Sequence, residues 1–349
     1  MRMFQNDYSE DAASEILVAL CAANFEQRIG YTEGDPHCEE VRKLIREACE
    51  DPTADVEFRI GGTSTNIVAL NGLLKDWEGI ICTPDVHIAV HETGALVAVG
   101  RTVLPTHDKD GFLSPEEAER VSHFQTSTDQ RMAKPGTVYI INTTELGGVW
   151  TKQRFDAICD WADEHQLPVF LDEARLASAS AAPSNDLTLP HIAKRCTAFY
   201  LGGTKNGMLC GEALVINDPK LKEAFPYLIK ERDKFLAKGR LLGVQFERTF
   251  MPEDTEPLWF PYTCQANDCA IKMHESLIEE GYKPYGDSNF NQQFFVVTSK
   301  QAEASAEACG CETFYTLKGG RQVIRFVTSW ATTESNVDEV LTFAKQVIA

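Results

Sequence analysis

The stretch LGGTKNG, Leu201 to Gly207, sets one lysine among three glycines directly after the apolar run TAFY. An ammonium held out of water at a strand end has its pKa lowered toward neutrality, and the free amine attacks a carbonyl to form a Schiff base. Most lysines are solvated and glycines often only make a turn, so by itself Lys205 is open between a nucleophile and a surface side chain. The glycines would also let a flat ligand approach the backbone. VFLDEARLA ends an apolar strand on Asp172, with Arg175 three residues on. A buried carboxylate needs a cation or an N–H donor; Arg175 is the local ion-pair partner. The alternative is that Asp172 meets a protonated ring nitrogen while Arg175 grips a carboxylate in bidentate fashion. FRIGGTSTNIVAL places Gly61, Gly62, Thr63 and Ser64 before an apolar helical run. Backbone N–H groups at such a start, with two hydroxyls, favour an anion such as phosphate, and Thr204 can add a third hydroxyl. The turn is neither a Walker loop nor GxGxxG, so an N-terminal cap without ligand stands beside that reading. In DVHIAVHETG, His87 and His91 share one face if the segment is helical. A zinc pair would need a third ligand that the sequence does not offer, so no metal is expected. One imidazole stacking on a cofactor ring is the economical role, with a structural histidine as the other.

Strand ends must position these residues. GIICT, RTVLPT, TVYIIN, PVFLDEA, TAFYLGG and EALVIN alternate with helix-like segments, the pattern of a mostly parallel sheet covered by helices. In such sheets the loops at the carboxyl ends of strands form the ligand crevice. SPEEAERVSHF opens on Ser114, Pro115 and Glu117, a capping box with proline at the first helical position. TKQRFDAICDWADEH has helical apolar spacing. The predicted organisation is a large α/β domain over 15–250 and a small α+β domain over 251–349. Residues 1–14 pack across both. In the second domain NQQFFVVTS, AEASAEACG, RQVIRFVTSW and NVDEVLTFAKQVIA read strand, helix, strand, helix.

The bulk composition narrows the partners. In 349 residues, 33 Lys and Arg stand against 52 Asp and Glu, a formal charge of -19, which disfavours nucleic acid and anionic membranes as partners. Eleven cysteines without a CxxC read as reduced thiols of a cytoplasmic protein. ILVALCAA, Ile16 to Ala23, follows acidic residues where a signal peptide needs positive ones, so it reads as an amphipathic helix.

The pieces occur in the order phosphate turn, histidine, strand-end Asp with Arg, glycine-flanked Lys. GGTSTNIVALNGLL, HETGAL, VFLDEARLA, YLGGTKNGMLCGEALVI, FLAKGRLLGVQF, NQQFFV and VIRFVTSWATTESNVDEV together resemble the low-specificity threonine aldolases. These belong to the aromatic amino acid β-eliminating lyase/threonine aldolase group, and the resemblance runs over nearly the whole chain. It implies the aspartate-aminotransferase-like fold, fold type I of the pyridoxal 5'-phosphate enzymes, and cleavage of L-threonine, L-allo-threonine or related β-hydroxy-α-amino acids to glycine and an aldehyde. By matching positions, Lys205 carries the cofactor, Asp172 holds its pyridine nitrogen protonated and His87 stacks on its ring. Gly62, Thr63, Ser64 and Thr204 hold the phosphate, and Arg175 and Arg325 bind the substrate carboxylate. Arg240 reaches a neighbouring subunit's phosphate in a homodimer or homotetramer with active sites at the dimer interface. Two positions depart from the family. Its Asp-Gly-Ala-Arg is here Asp-Glu-Ala-Arg, and strand alternation should turn Glu173 away from the face of Asp172. NTTELGG puts Glu145 near where many members carry a histidine beside the substrate hydroxyl, leaving His87, His91, Glu145 and a bound water as candidate bases. β-Elimination or racemisation on the same scaffold, and a non-catalytic ligand-binding relative, are the alternatives.

Overall fold

Apolar runs too short for helices become strands buried along nearly their whole length in the computed structural model, which describes residues 3–127, 130–232, 235–251 and 259–348. Seven of them form one sheet: β1 (Asp55–Arg59), β2 (Glu78–Cys82), β3 (Thr102–Pro105), β4 (Lys134–Ile141), β5 (Val169–Asp172), β6 (Ala198–Gly202) and β7 (Glu212–Ile216). Their spatial order is β1-β7-β6-β5-β4-β2-β3. From β3 to β6 every neighbouring pair is parallel, while β7 runs antiparallel to both β6 and β1. Parallel strands require crossovers, and helices covering both faces explain why these strands read as continuous apolar runs rather than alternating ones.

On one face lies α3 (Gly62–Leu73), with Val68, Ala69 and Leu70 against Tyr139, Phe170 and Tyr200. The opposite face meets α2 (Pro36–Ala48) and the helices Lys152–Glu164 and Arg240–Phe250 through Val41, Phe155, Ile158 and Phe246. Alternation along β5 assigns Phe170 and Asp172 to the α3 side. Leu171, and Glu173 just past the strand, face the other side.

Local signals act as expected with one exception. Ser114 Oγ accepts from the Glu117 N–H at 3.3 Å, but the Glu117 carboxylate caps the His107 N–H at 2.8 Å instead of returning to Ser114. The box is half formed because Asp108 already takes the Ser114 N–H at 3.3 Å. A complete box closes instead at Thr298 and Gln301, a cap worth about 1 kcal/mol. ILVALCAA lies in α1 (Ser14–Ala23), which buries Ile16 and Ala23 and leaves Leu17 and Val18 exposed. No helix among the described residues is long and apolar enough to cross a membrane.

A second, wholly antiparallel sheet has the order β10-β11-β9-β8. Its strands are β8 (Lys283–Pro284), β9 (Gln292–Val297), β10 (Glu312–Thr316) and β11 (Gln322–Val327). Phe295, Ile324 and Phe326 pack there on Met273, Leu277 and Val340. β8 and β10 escape the sequence reading because one has two residues and the other is only partly buried. The predicted division at 250/251 abuts residues 252–258, which lie outside the described residues. The N-terminal segment joins the two sheets' surroundings. Phe4 N–H donates to Cys309 O at 3.0 Å and Phe4 O accepts from Val327 N–H at 2.8 Å, while Ala13 N–H donates to Gly207 O at 2.9 Å.

Candidate active site

The loops after β1, β2, β4, β5 and β6 converge on a cavity of about 540 Å³. Gly62, Thr63, His87, His91, Glu145, Asp172, Arg175, Thr204, Lys205 and Arg325 all line it, although they are drawn from both sheets. Glycine brings two of these loops together. A Cβ on Gly202 would sit 2.5 Å from the Ala174 carbonyl oxygen, so only a bare backbone lets the Lys205 loop lie against the Asp172–Arg175 loop. Gly202 therefore serves loop-to-loop packing, a role the sequence reading did not assign it.

Lys205 is half-buried in the cavity wall. Burial first, and then the neighbouring Arg175 guanidinium, lower its pKa from the ordinary lysine value, against the pull of Asp7, Glu145 and Asp172. Beneath it, Glu212 at the start of β7 ties down the loop. Its Oε2 accepts from Gly203 N–H at 3.1 Å and its Oε1 from Thr204 Oγ1 at 2.9 Å. Burial pushes the Glu212 carboxyl upward.

Asp172 does not pair with Arg175, correcting the local ion-pair expectation. Its Oδ2 accepts from the Tyr139 hydroxyl at 2.5 Å and from Asn66 Nδ2 at 3.0 Å, and its Oδ1 from the Tyr200 hydroxyl. Tyr139 and Tyr200 stand on β4 and β6, the strands flanking β5. Burial, reinforced by the Asp172 charge, holds both phenols far above their usual pKa, so they remain donors. Asn66 also donates to Glu92 Oε1 at 2.9 Å, and the same oxygen contacts His87 Nδ1 at 2.9 Å. A continuous network thus runs from His87 to Asp172. Burial disfavours the imidazolium, yet the Glu92 bond and the Asp172 and Glu145 charges prevail and raise the His87 pKa. His87 and His91 flank a four-residue helical turn with ring centroids 5.6 Å apart. Among the described residues no group of three or more His, Cys, Asp or Glu is arranged to hold a metal ion.

Arg175 turns instead to the N-terminal segment, where Asp7 takes Nε at 2.7 Å and Nη2 at 3.1 Å. Burial raises the Asp7 pKa, but Arg175 and Lys205 overcome that and hold it at about 2. Asp7 also accepts from Asn291 at 3.0 Å. The Gln292 amide, oriented by its donors, accepts from Arg175 Nη2 at 3.1 Å and Arg325 Nη1 at 3.2 Å, so the two guanidiniums share one oxygen. Glu312 pairs with Arg325 and Phe314 lies 4.7 Å beneath its guanidinium. Arg175 Nη1 is left for a ligand carboxylate, as the fork geometry permits.

Three expected positions differ. Ser64 does not line the cavity; its hydroxyl donates to Gly61 O at 3.0 Å, which leaves only its backbone N–H for an anion. Thr204 lines the cavity, but its single hydroxyl proton is committed to Glu212. Arg240 lies in a separate cavity of about 890 Å³ beside Arg28 and Leu241, where it donates to Glu26 O. Sequence reading missed Asp7, Asn66, Glu92, Tyr139, Tyr200, Glu212 and Gln292. The tyrosines left a trace: a buried Tyr within an apolar strand needs a partner for its hydroxyl.

The donor set suits pyridoxal phosphate. The first N–H groups of α3 have no intrahelical acceptors, as at any helix start, and they face the cavity beside Thr63. Four donors converge on Asp172, from Tyr139, Tyr200, Asn66 and, at 3.4 Å, the Ala174 N–H; a ring N–H would take the place of the longest of them. A family model described as β-eliminating lyase matches residues 8–251. The chain is 28% identical to a low specificity L-threonine aldolase from a Pseudomonas species, with 100% of this chain and 98% of the relative covered. Another protein of that description, from Pseudomonas aeruginosa, is 27% identical with 97% and 96% covered. The solved structure of a Leishmania major threonine aldolase superposes with a TM-score of 0.95 at 38% identity, covering 100% of both chains. With its large, mostly parallel sheet, its smaller antiparallel one and a match spanning most of its length, the chain belongs to the β-eliminating lyase family.

Proposed function

We propose that this chain is a pyridoxal phosphate-dependent carbon–carbon lyase that cleaves L-threonine, L-allo-threonine or a related β-hydroxy-α-amino acid to glycine and an aldehyde. The carrying observation is one cavity that holds a half-buried, pKa-lowered amine at Lys205, a networked carboxylate at Asp172 and the guanidinium pair Arg175–Arg325. The full-length similarity to proteins described as threonine aldolases supports the same reading.

Lys205, its pKa lowered by burial, would bind the cofactor aldehyde. Asp172 would keep a proton on the ring nitrogen, His87 would stack on the ring, and the α3 N–H groups of Gly62, Thr63 and Ser64 with the Thr63 hydroxyl would hold the phosphate. When bound, the cofactor supplies the sink for the electron pair released at Cα. Arg175 and Arg325 fix the substrate carboxylate, which sets the orientation of the bond to be broken. The protein works in the cytoplasm as a homo-oligomer. Eleven free cysteines support the compartment, and exposed Leu17, Val18, Phe25 and Ile29 near the Arg240 cavity support the assembly.

The test is to incubate the purified protein and pyridoxal phosphate with a panel of amino acids and assay glycine, aldehyde, ammonia and inverted enantiomer. Glycine with stoichiometric aldehyde from L-threonine or L-allo-threonine is expected. Ammonia or an inverted enantiomer in their place would reassign the reaction. Lys205→Ala should abolish turnover, a loss on the order of 10⁴-fold or more.

A further inference from the structure

Breaking a bond next to a hydroxyl requires a group that receives the hydroxyl proton, and few side chains facing the cavity can do so. His87 has Nδ1 committed to Glu92 and is assigned to the face of the cofactor ring. Lys205 and Asp172 are assigned to the cofactor. His91 is exposed at the rim, where bulk water competes for it.

Glu145 differs from all of these. It follows β4, is buried in the cavity wall, and among the described residues no hydrogen bond or ion pair to another side chain holds its carboxylate. Enclosure without a partner is unusual for a carboxylate that only maintains the fold. It lies within electrostatic reach of the reacting centre: its charge acts on Lys205, Arg175 and His87. The Glu145 charge also acts on Asp85 and Tyr315. Burial and then Glu145 itself raise the Asp85 pKa, and burial first, with Asp85 and Glu145 adding, pushes Tyr315 up to about 12.

Resting on the aldolase reading, we propose that Glu145 is the catalytic base that takes the β-hydroxyl proton of the substrate. The carboxylate accepts the proton from Oβ, and the freed oxygen pair becomes the second bond of the aldehyde carbonyl. The Cα–Cβ bond breaks and its pair stays with the glycine fragment, where the cofactor acts as sink. Glu145 returns its proton to solvent, and solvent supplies the one that completes glycine, so protons and electrons balance.

The experiment compares two reactions in the pyridoxal phosphate-loaded protein, since only one involves a hydroxyl. L-Threonine cleavage is measured against pH, and exchange of the glycine Cα hydrogen in heavy water is followed by NMR, for the unsubstituted chain, Glu145→Gln and Glu145→Ala. Cleavage in Glu145→Gln should fall on the order of 10²- to 10⁴-fold, while glycine exchange stays within about threefold. Added formate should restore part of the cleavage in Glu145→Ala. Near-native cleavage in Glu145→Gln with an unchanged pH profile would overturn the assignment. Equal loss of both reactions would overturn it too, by making Glu145 a support for the cofactor. Failure of the aldolase reading shows elsewhere, as an unsubstituted chain that exchanges glycine yet cleaves no β-hydroxy amino acid.

Discussion

Asp172 and Glu173 are adjacent carboxylates, yet they leave the end of β5 on opposite faces of the sheet and meet opposite surroundings. Asp172 faces the cavity and receives two phenols and an amide. Glu173 is fully buried on the other side, where among the described residues neither oxygen makes a well-formed hydrogen bond and only the Asn142 amide is near enough to favour its charged form. Burial, with the Asp172 charge behind it, raises its pKa far above the ordinary glutamate value. Identical chemistry is thus held as a networked acceptor on one face and as a neutral acid on the other. Donors determine which form a buried carboxylate takes, because desolvation alone always favours the uncharged one.

The largest expected effect breaks the networked side. Asp172→Asn should lower turnover on the order of 10²- to 10³-fold and weaken cofactor retention, measured by steady-state assay and by absorbance after dialysis. Near-native rates would make Asp172 a purely structural residue. Asp7 sharpens the comparison, being buried but fully paired with Arg175. Its pKa of about 2 lies below the ordinary 3.8. Its contribution to stability is therefore present above pH 3.8 and disappears as pH falls toward 2. Asp7→Asn should cost roughly 2 kcal/mol at neutral pH, less in acid, and raise KM more than it lowers kcat. Denaturant titrations across pH and substrate kinetics would read both, and a pH-independent cost would refute the pairing.

For Glu173 the sign reverses. The folded state retains a proton that the unfolded chain releases near pH 4.5, so this residue makes the fold less stable as pH rises above that value. Glu173→Gln should escape the penalty and gain on the unsubstituted chain by up to about 1.4 kcal/mol per pH unit between pH 5 and 7. Melting curves at several pH values would show it, and a constant difference would mean that Glu173 has a partner after all. The smallest effect is expected of Tyr139→Phe. It removes one donor from Asp172 while Tyr200 and Asn66 remain, at a cost of about 1 kcal/mol in unfolding free energy.

How far the sequence could be read varies from residue to residue. The strands of the large sheet were legible because both faces are covered, which leaves continuous apolar runs ending in the polar residues of the crevice. The turn away of Glu173 was legible too, because alternation along a strand is a local property. The Glu117 cap was misread, since Asp108 and His107, several residues upstream, compete for the same groups. β8 and β10 carried too little burial to leave a pattern.

By itself the sequence determined the order of the chemical groups and their placement at strand ends: a lysine after β6, an aspartate closing β5, a glycine-threonine turn opening α3. Covalent order and strand period are local, so they survive in a one-dimensional string. Only the tertiary structure decided the partners. Arg175 is held by Asp7, 168 positions away in the chain; Asp172 is held by phenols of the two flanking strands; and Glu145 has no side-chain partner among the described residues. Partner choice depends on which elements meet and on what each displaces from water, and neither quantity exists until the chain has folded.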